Sequence, residues 1–538
     1  MRSTFHGLNI SSLGLFTSQK QLDVTGHNIS NTNTVGYSRQ RYILSAVEPK
    51  GYLNQYAPLQ RGQVGGGVGT LSLDQIRDRF LDIQYRTEFS KSSYWTQRAE
   101  TMYYVEDIFN GLGDTSLDAV ISQFFNAVQE MSKNPTDEAV RTNVMAQAKK
   151  MIDSFHMYHD QLAALMEQQD FNMYQQVKRV NELLLQMTTL NDNIKKFEVG
   201  GSVANDLRDA RNLILDELSS YMDISYTEVS YEPPLYNIYG LELTQMYVYV
   251  GSNVGENYED MLLVRHKEAF PLVCGDPDQE YEESGETGLN EWADTNDPPI
   301  ITHALRLQSG IEFTPEDIEG LNTGILRNYL DLRDGDEVER QGIPYFIKQL
   351  NVMVNALVEE FNAVHTDGYT MPFTNPEGSS GSATGVSFFD PAGVTAATIQ
   401  LDEAILLSAF NIAASSEYVT MDDDGHMQTG NNLNALEIIR QLKERTDMDD
   451  LGSFEGFFKN FLGNLASEVA LANNMRDAQG VLLNSIETQR NAVMSVSEDE
   501  EMTALIRFQH AYNASARCIT AMDEALDKLI NGTGRVGL

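Results

Sequence analysis

Cysteine is nearly absent: Cys274 and Cys518 are the only two in 538 residues, too few for a disulfide framework and at no metal-binding spacing. Basic charge is also scarce. Lys and Arg number 38 against 78 Asp and Glu, a net charge of −40, which argues against nucleic acid as a partner because phosphate backbones are held by clustered cations. No run reaches the roughly 18 uninterrupted apolar residues of a membrane helix. Met1–Ser12 has no basic segment leading into an apolar one, so neither membrane insertion nor a Sec signal is expected. Missing too are a Walker loop, G-x-S-x-G, H-E-x-x-H and paired zinc ligands. His156 and His159 stand three apart without a third ligand. Asp422, Asp423, Asp424 and Gly425 lack the D-x-D-x-D-G spacing and later Glu of a calcium loop. Cys518 precedes a seam residue and reads as a packed thiol. No catalysis, cofactor or metal is expected.

What the chain does have is enough apolar material for several cores, with 41% hydrophobic and 9% aromatic residues, and a length that suggests about three or four domains. Its charge is uneven. Residues 1–80 hold eight basic and four acidic groups, whereas the remainder carries a net −44; such asymmetry suggests that the N-terminal end sits in an environment unlike the middle's.

Leu8, Leu15, Leu22 and Ile29 recur every seven residues, with Thr4, Ser11, Ser18 and Thr25 at the alternate position, which predicts a helix with a narrow seam and small residues permitting close approach. At the other end Leu505, Phe508, Tyr512, Ser515, Ile519, Met522, Leu526 and Leu529 alternate spacings of three and four before Gly532 and Gly534. Both stripes are narrow and marginal alone in water. Each end therefore needs a partner helix, and the two are expected to pack together only in an assembled state.

Asn134-Pro135 reads as an N-cap and first helical position, opening a pattern that runs to about Phe197, with a break allowed near Gln168–Asp170. Ile343–His365 and Phe454–Val493 are further long helices, whereas Ile224–Tyr231 and Met246–Val250 show strand alternation. Residues 275–300 contain nine acidic groups and no basic one, the mark of a solvated loop. The Gly/Ser-rich Gly378–Gly385 and the strand-like Ala397–Leu401 suggest another small β element. The expected architecture is α+β and multidomain. Residues 1–80 and 495–538 form paired terminal helices with an N-terminal extended segment; 81–222, 301–371 and 433–494 form an elongated helical bundle; 223–300 form an outward β domain; 372–432 form the small β element.

Two terminal segments carry a family resemblance. Leu22-Asp-Val-Thr-Gly-His-Asn-Ile-Ser-Asn-Thr-Asn-Thr-Val-Gly-Tyr-Ser-Arg-Gln40, with Gly26, His27, Asn28, Asn31, Gly36, Tyr37, Ser38, Arg39 and Gln40 as its signature, resembles the N-terminal end of bacterial flagellar rod, hook and hook-associated proteins. Ser497–Arg517 is similar to the matching C-terminal end. Gly36–Gln40, Asn205–Leu218 and Asn362–Gly368 narrow the resemblance to the hook-associated protein 1 family, with Val35 standing where the family usually has proline. The resemblance implies a coiled coil of the two ends lining the flagellar core, long helices outside it and β domains facing solvent. It implies a structural layer at the hook-filament junction, built from copies of the chain between the hook protein and the second junction protein, hook-associated protein 3. It further implies unfolded export through the flagellar type III apparatus, with an export chaperone on the C-terminal helix, and an extracellular location on the flagellum. Other readings are a hook or distal-rod subunit, and, further off, an adhesin contacting its target through 275–300 or an axial protein carrying a hydrolase domain.

Overall fold

A computed structural model describes residues 5–47, 65–110, 116–231, 233–239, 242–251, 261–275, 304–307, 321–371, 373–374, 380–418, 430–444 and 454–532. The acidic segment lies outside them except at Gly275, as does the Asp422–Gly425 run. In chain order the first elements are α1 (His6–Ser30), the antiparallel pair β1 (Gln40–Val47) and β2 (Gly67–Gln75), α2 (Arg79–Phe109), α3 (Leu117–Lys133), α4 (Glu138–Val199) and α5 (Asn205–Tyr221). An antiparallel four-stranded sheet follows, β3 (Ile224–Ser230), β4 (Thr244–Val250), β5 (Leu262–Arg265) and β6 (Glu268–Ala269). Then β7 (Leu272–Gly275) pairs with β8 (Ala304–Leu307), so the β region continues past residue 300. After α6 (Ile325–Asp334) come the paired β9 (Asp336–Glu337) and β10 (Arg340–Gln341), α7 (Ile343–Asp367), the paired β11 (Phe373–Thr374) and β12 (Ser380–Gly381), α8 (Glu403–Leu407), α9 (Leu433–Glu444), α10 (Phe454–Met494) and α11 (Glu498–Asp527). The fold is α+β and multidomain.

The helix read as starting at Asn134-Pro135 begins three residues later. Asn134 closes α3, and the Asp137 carboxylate caps α4 by accepting from the Ala139 amide at 2.8 Å. The 62 residues of α4 span about 90 Å at the usual rise, without the break allowed near Asp170. That position is held instead by an ion pair: Asp170 accepts from Arg333 at 2.8 Å, and both are buried.

This pair separates two apolar cores that share α4. The first gathers Val144 to Met166 with α3, α7, α9 and the start of α10, around a phenylalanine cluster in which Phe361 and Phe388 lie 4.6 Å apart. Each such ring is worth about 1.5–3 kcal/mol of burial. The second packs Met173 to Met187 with α5, α6 and the sheet. Residues 397–401 are not a strand; only an isolated bridge joins Phe389 to Leu401. Phe388, Phe389, Ile399, Leu401 and Ile412 of this stretch are buried in the first core, because its backbone is pinned by side chains of α7 rather than by a ladder.

The pins are Asn362 and His365. The Asn362 amide accepts from the Phe388 and Phe389 amides and donates to the Phe389 carbonyl. His365 Nε2 accepts from the Ala413 amide at 2.8 Å, so Nδ1 carries the proton and donates to the Val386 carbonyl at 2.7 Å. Burial, aided by the charge of Arg141, pulls the imidazole down to about 4. Against an unfolded value near 6.5, the folded chain resists protonation, so stability is complete above pH 6.5 and is lost as pH falls from there toward 4, by about 3 kcal/mol in all. We expect the urea midpoint to fall more steeply between pH 7 and 4.5 in the parent than in His365→Gln. Equal slopes would show that His365 does not drive the loss.

Candidate functional site: the joint of the two chain ends

Both ends of the chain meet in one place. Asn28 of α1 donates to Glu501 of α11, while a Cβ at Gly14 would stand 3.1 Å from Ser515 Oγ and one at Gly7 2.7 Å from Met522 Cε. The helices therefore run antiparallel, with Gly7, Gly14 and Asn28 on the contact line and their lack of bulk at Gly7 and Gly14 bringing the axes together. The leucine seam is offset from this line. Leu8, Leu15, Leu22 and Ile29 are each half-buried, as is Ser11, whereas the buried residues of α1 are Thr17, Ser18, Thr25 and Asn28; Thr4 lies outside the described residues. On α11 only Glu501 is buried. Leu505, Phe508, Tyr512, Ser515, Ile519 and Leu526 are half-buried, and Met522 and Leu529 are exposed at 41% and 54%. Cys518 is exposed rather than packed. The pair thus forms within a single chain, not only on assembly, yet leaves Phe5, Phe16, Met502, Ile506 and Ile530 at the surface as well.

Below the pair, the signature residues build a turn and a buried hydrogen-bond cluster. Asn31 closes α1, its side chain donating to the His27 carbonyl at 3.0 Å. The Tyr37 amide returns to the Thr34 carbonyl, with Gly36 at φ +78° in the third position, the place where a type II turn needs glycine. Val35 occupies the second position, where proline would fit, so the turn stands without it. Asn28 then uses its amide fully: Oδ1 accepts from the Tyr37 hydroxyl and the Gln40 amide, and Nδ2 donates to the Gln40 carbonyl and Glu501. Since the phenol proton goes to Asn28, His27 Nδ1 donates to the Tyr37 oxygen at 2.9 Å. Burial, then the charge of Asp206, pushes that phenol upward, keeping it a donor. Gly26 has open space around it.

Ser38, Arg39 and Gln40 each tie this turn to another part of the chain. Arg39 bonds Glu501 at 2.7 Å and Glu500 at 2.8 Å, and its amide donates to the Met494 carbonyl at the end of α10. The Gln40 side chain bonds Asp206 and Asn205. The Ser38 amide and hydroxyl both donate to Asp209, at 2.9 and 2.7 Å. The motifs Gly36–Gln40 and Asn205–Leu218, far apart in sequence, are therefore two halves of one contact.

From Asp209 a ladder of alternating charge crosses the molecule. Arg77 bonds Asp209 and Asp82; Arg490 of α10 bonds Asp82 at 2.7 Å and Asp216 at 2.5 Å; Arg86 bonds Asp216 at 2.7 Å. Three arginines face three aspartates, so the ladder is neutral. Asp82, Arg86, Asp209 and Arg490 are all buried. Burial raises the Asp82 carboxyl, but the Arg77 hydrogen bond and the charges of Arg77, Arg490 and Arg86 outweigh it and hold the group below its ordinary value. For Asp209 burial wins over Ser38 and Arg77, and its carboxyl is raised. Arg490 also lies 4.5 Å over the Tyr85 ring. None of Arg77, Asp82, Arg86 and Arg490 stood out in the sequence; the available signal was the ionisable pair Asp82 and Arg86, four apart on one face of a helix.

The arrangement binds elements together. His156 bonds the Ile399 carbonyl at 3.0 Å and buried His159 sits beside Asp160. The Cys274 thiol is pushed up to about 12 by burial and by Asp170. Among the described residues no helix is long and apolar enough to cross a membrane.

Comparison with known proteins identifies the family. The family described as the flagellar hook-associated protein FlgK helical domain matches residues 102–389, and that of the flagellar basal body rod FlgEFG protein C-terminal matches 493–532. Flagellar hook-associated protein 1 of Bacillus subtilis is 30% identical over 99% of this chain and 99% of its own length. The Escherichia coli protein of that name is 22% identical over 97% and 99%. The structure of the flagellar hook junction protein FlgK from Burkholderia pseudomallei shares the fold, with a TM-score of 0.54 over 77% of this chain and 100% of that one at 13% identity. On the helical-domain match over more than half its length and a relative similar from end to end, the chain belongs to the flagellar hook-associated protein 1 family and is a structural component of the bacterial flagellum.

Proposed function

We propose that copies of this chain form one axial layer of the hook-filament junction, with the hook protein on one side and the second junction protein, hook-associated protein 3, on the other. The observation that carries the reading is the terminal helix pair, braced by the buried ladder yet open along an apolar face. Residues 1–80 and 495–538 form the inner core of the layer and 81–222, 321–371 and 433–494 the bundle around it, the strand at 304–307 belonging with the β region. The strands β3 to β8 face outward, and residues 386–414 pack into the bundle. Leu8, Leu15, Leu22 and Ile29 with Leu505, Phe508, Tyr512, Ile519, Met522, Leu526 and Leu529 are the assembly contacts, because the apolar area they leave exposed in one chain is what a neighbouring subunit would cover. Before assembly, α11 is covered by a flagellar export chaperone, and the chain leaves the cell unfolded through the type III apparatus. Immunogold labelling of purified hook-filament structures should mark a single band at the boundary. Labelling along the hook would instead make this a hook-type subunit.

A further inference from the structure

Arg141, in the first turn of α4, is 1% exposed and has no carboxylate partner among the described residues. Its Nε donates to the Pro135 carbonyl at 2.6 Å and its Nη1 to those of Ile412 at 2.6 Å and Ala409 at 3.5 Å, while Nη2 has no protein partner among the described residues. Every other buried arginine among the described residues, Arg86, Arg98, Arg211, Arg327, Arg333 and Arg490, pairs with an aspartate or glutamate. Burial lowers the Arg141 guanidinium only to about 10, so it stays charged at neutral pH. A buried charge without a counter-charge is costly, which makes an uncompensated arginine a sign that something else supplies the charge.

The structure shows where that partner would sit. Arg141 borders a small cavity of about 10 Å³, open to solvent and lined also by Thr136, Tyr369, Thr370, Ser415 and Asn431. That volume takes one group the size of an oxygen atom. The cavity also lies at the N-terminal end of α4, where the dipole of a 62-residue helix favours negative charge. Asp137 does not fill the role, since its carboxylate caps the Ala139 amide.

We propose that this cavity is a binding site for a small oxyanion, a phosphate or a carboxylate, with one oxygen entering to meet Arg141 Nη2 and the rest left at the open mouth beside Thr136, Tyr369 and Asn431, since the Thr370 and Ser415 hydroxyls already donate to the Met371 and Glu417 carbonyls. The site lies in the bundle, away from the terminal joint, and is independent of the assembly reading. It is tested on the full chain by thermal unfolding at fixed ionic strength in sodium chloride, with added inorganic phosphate or acetate. Phosphate should raise Tm saturably, by about 2 °C. Arg141→Gln should lose the rise. Because that change also frees three carbonyls, Thr136→Glu serves as the second variant: Thr136 is exposed, and the new carboxylate would fill the mouth from within the chain and abolish the response in a folded protein. A rise with phosphate alone assigns a phosphate, and an equal rise with acetate assigns a carboxylate. No saturable rise in the parent, or the same rise in Thr136→Glu, overturns the site.

Discussion

Exchanging Arg490 for methionine is expected to lower stability by about 3–5 kcal/mol, the usual consequence of removing one member of a buried ion pair. The loss is large because Arg490 is shared. It bonds Asp82 and Asp216 at once, and without it buried Asp82 and half-buried Asp216 face only Arg77 and Arg86. Methionine keeps most of the volume and the contact with Tyr85, so the charge is the main thing removed. The urea midpoint of Arg490→Met should drop accordingly, and amide exchange should quicken at the C-terminal end of α10 and the start of α2. Adding Asp82→Asn should restore part of the loss, since it removes one orphaned charge, and the two changes should be non-additive. By contrast, replacing Lys133, which pairs with Glu130 while both are more than half exposed, should leave the midpoint unchanged, because such pairs are screened by water and salt. A midpoint for Arg490→Met that matches the Lys133 variant would mean that the ladder does not hold the chain ends to the bundle.

The long helices were legible because periodicity reports burial on one side, and Ile343–His365 and Phe454–Val493 differ from the observed α7 and α10 by two residues and one at their C-terminal ends. Asn134-Pro135 misled for a physical reason: Asn134 is equally suited to closing α3, and Asp137 offers a better cap three residues on. The terminal seam was legible in kind but not in position. A heptad of leucines draws the eye, yet what sets the contact line is where helices can come closest, and Gly7 and Gly14 are invisible to a hydrophobic count. The ladder was least legible, since a charged residue in sequence reads as surface until its partner is known. Its bonded members Asp82 and Arg490 stand 408 residues apart in the chain. The positive balance of residues 1–80 now has a local cause in part: Arg39 pairs with Glu500 and Glu501, and Arg77 with Asp82 and Asp209, within the same chain.

The largest effect on the living cell should come from replacing Phe508, Ile519 and Leu526 together with serine. All three are half-buried in the single chain, so within one subunit each change removes about half of the 1.5–3 kcal/mol that full burial of such a side chain provides. The helix itself should persist in part, because serine is a tolerated helix residue and the acidic first turn of Glu498, Asp499, Glu500 and Glu501 still suits the helix N-terminus. Assembly multiplies the loss. Each subunit in a layer would present three polar positions where its neighbours require apolar ones, and the deficit recurs at every contact around the ring. Cells carrying the triple variant should therefore secrete filament protein into the medium without attaching it, and should not swim, while the Arg39 and Asn28 contacts keep the joint itself formed. Co-purification of the variant with the flagellar export chaperone should fail as well, since the same stripe is the surface proposed to need cover before export. The two readouts separate the roles. Normal chaperone binding with lost filaments would confine the stripe to the assembled layer, and normal swimming would place the assembly contact on some other face of the chain.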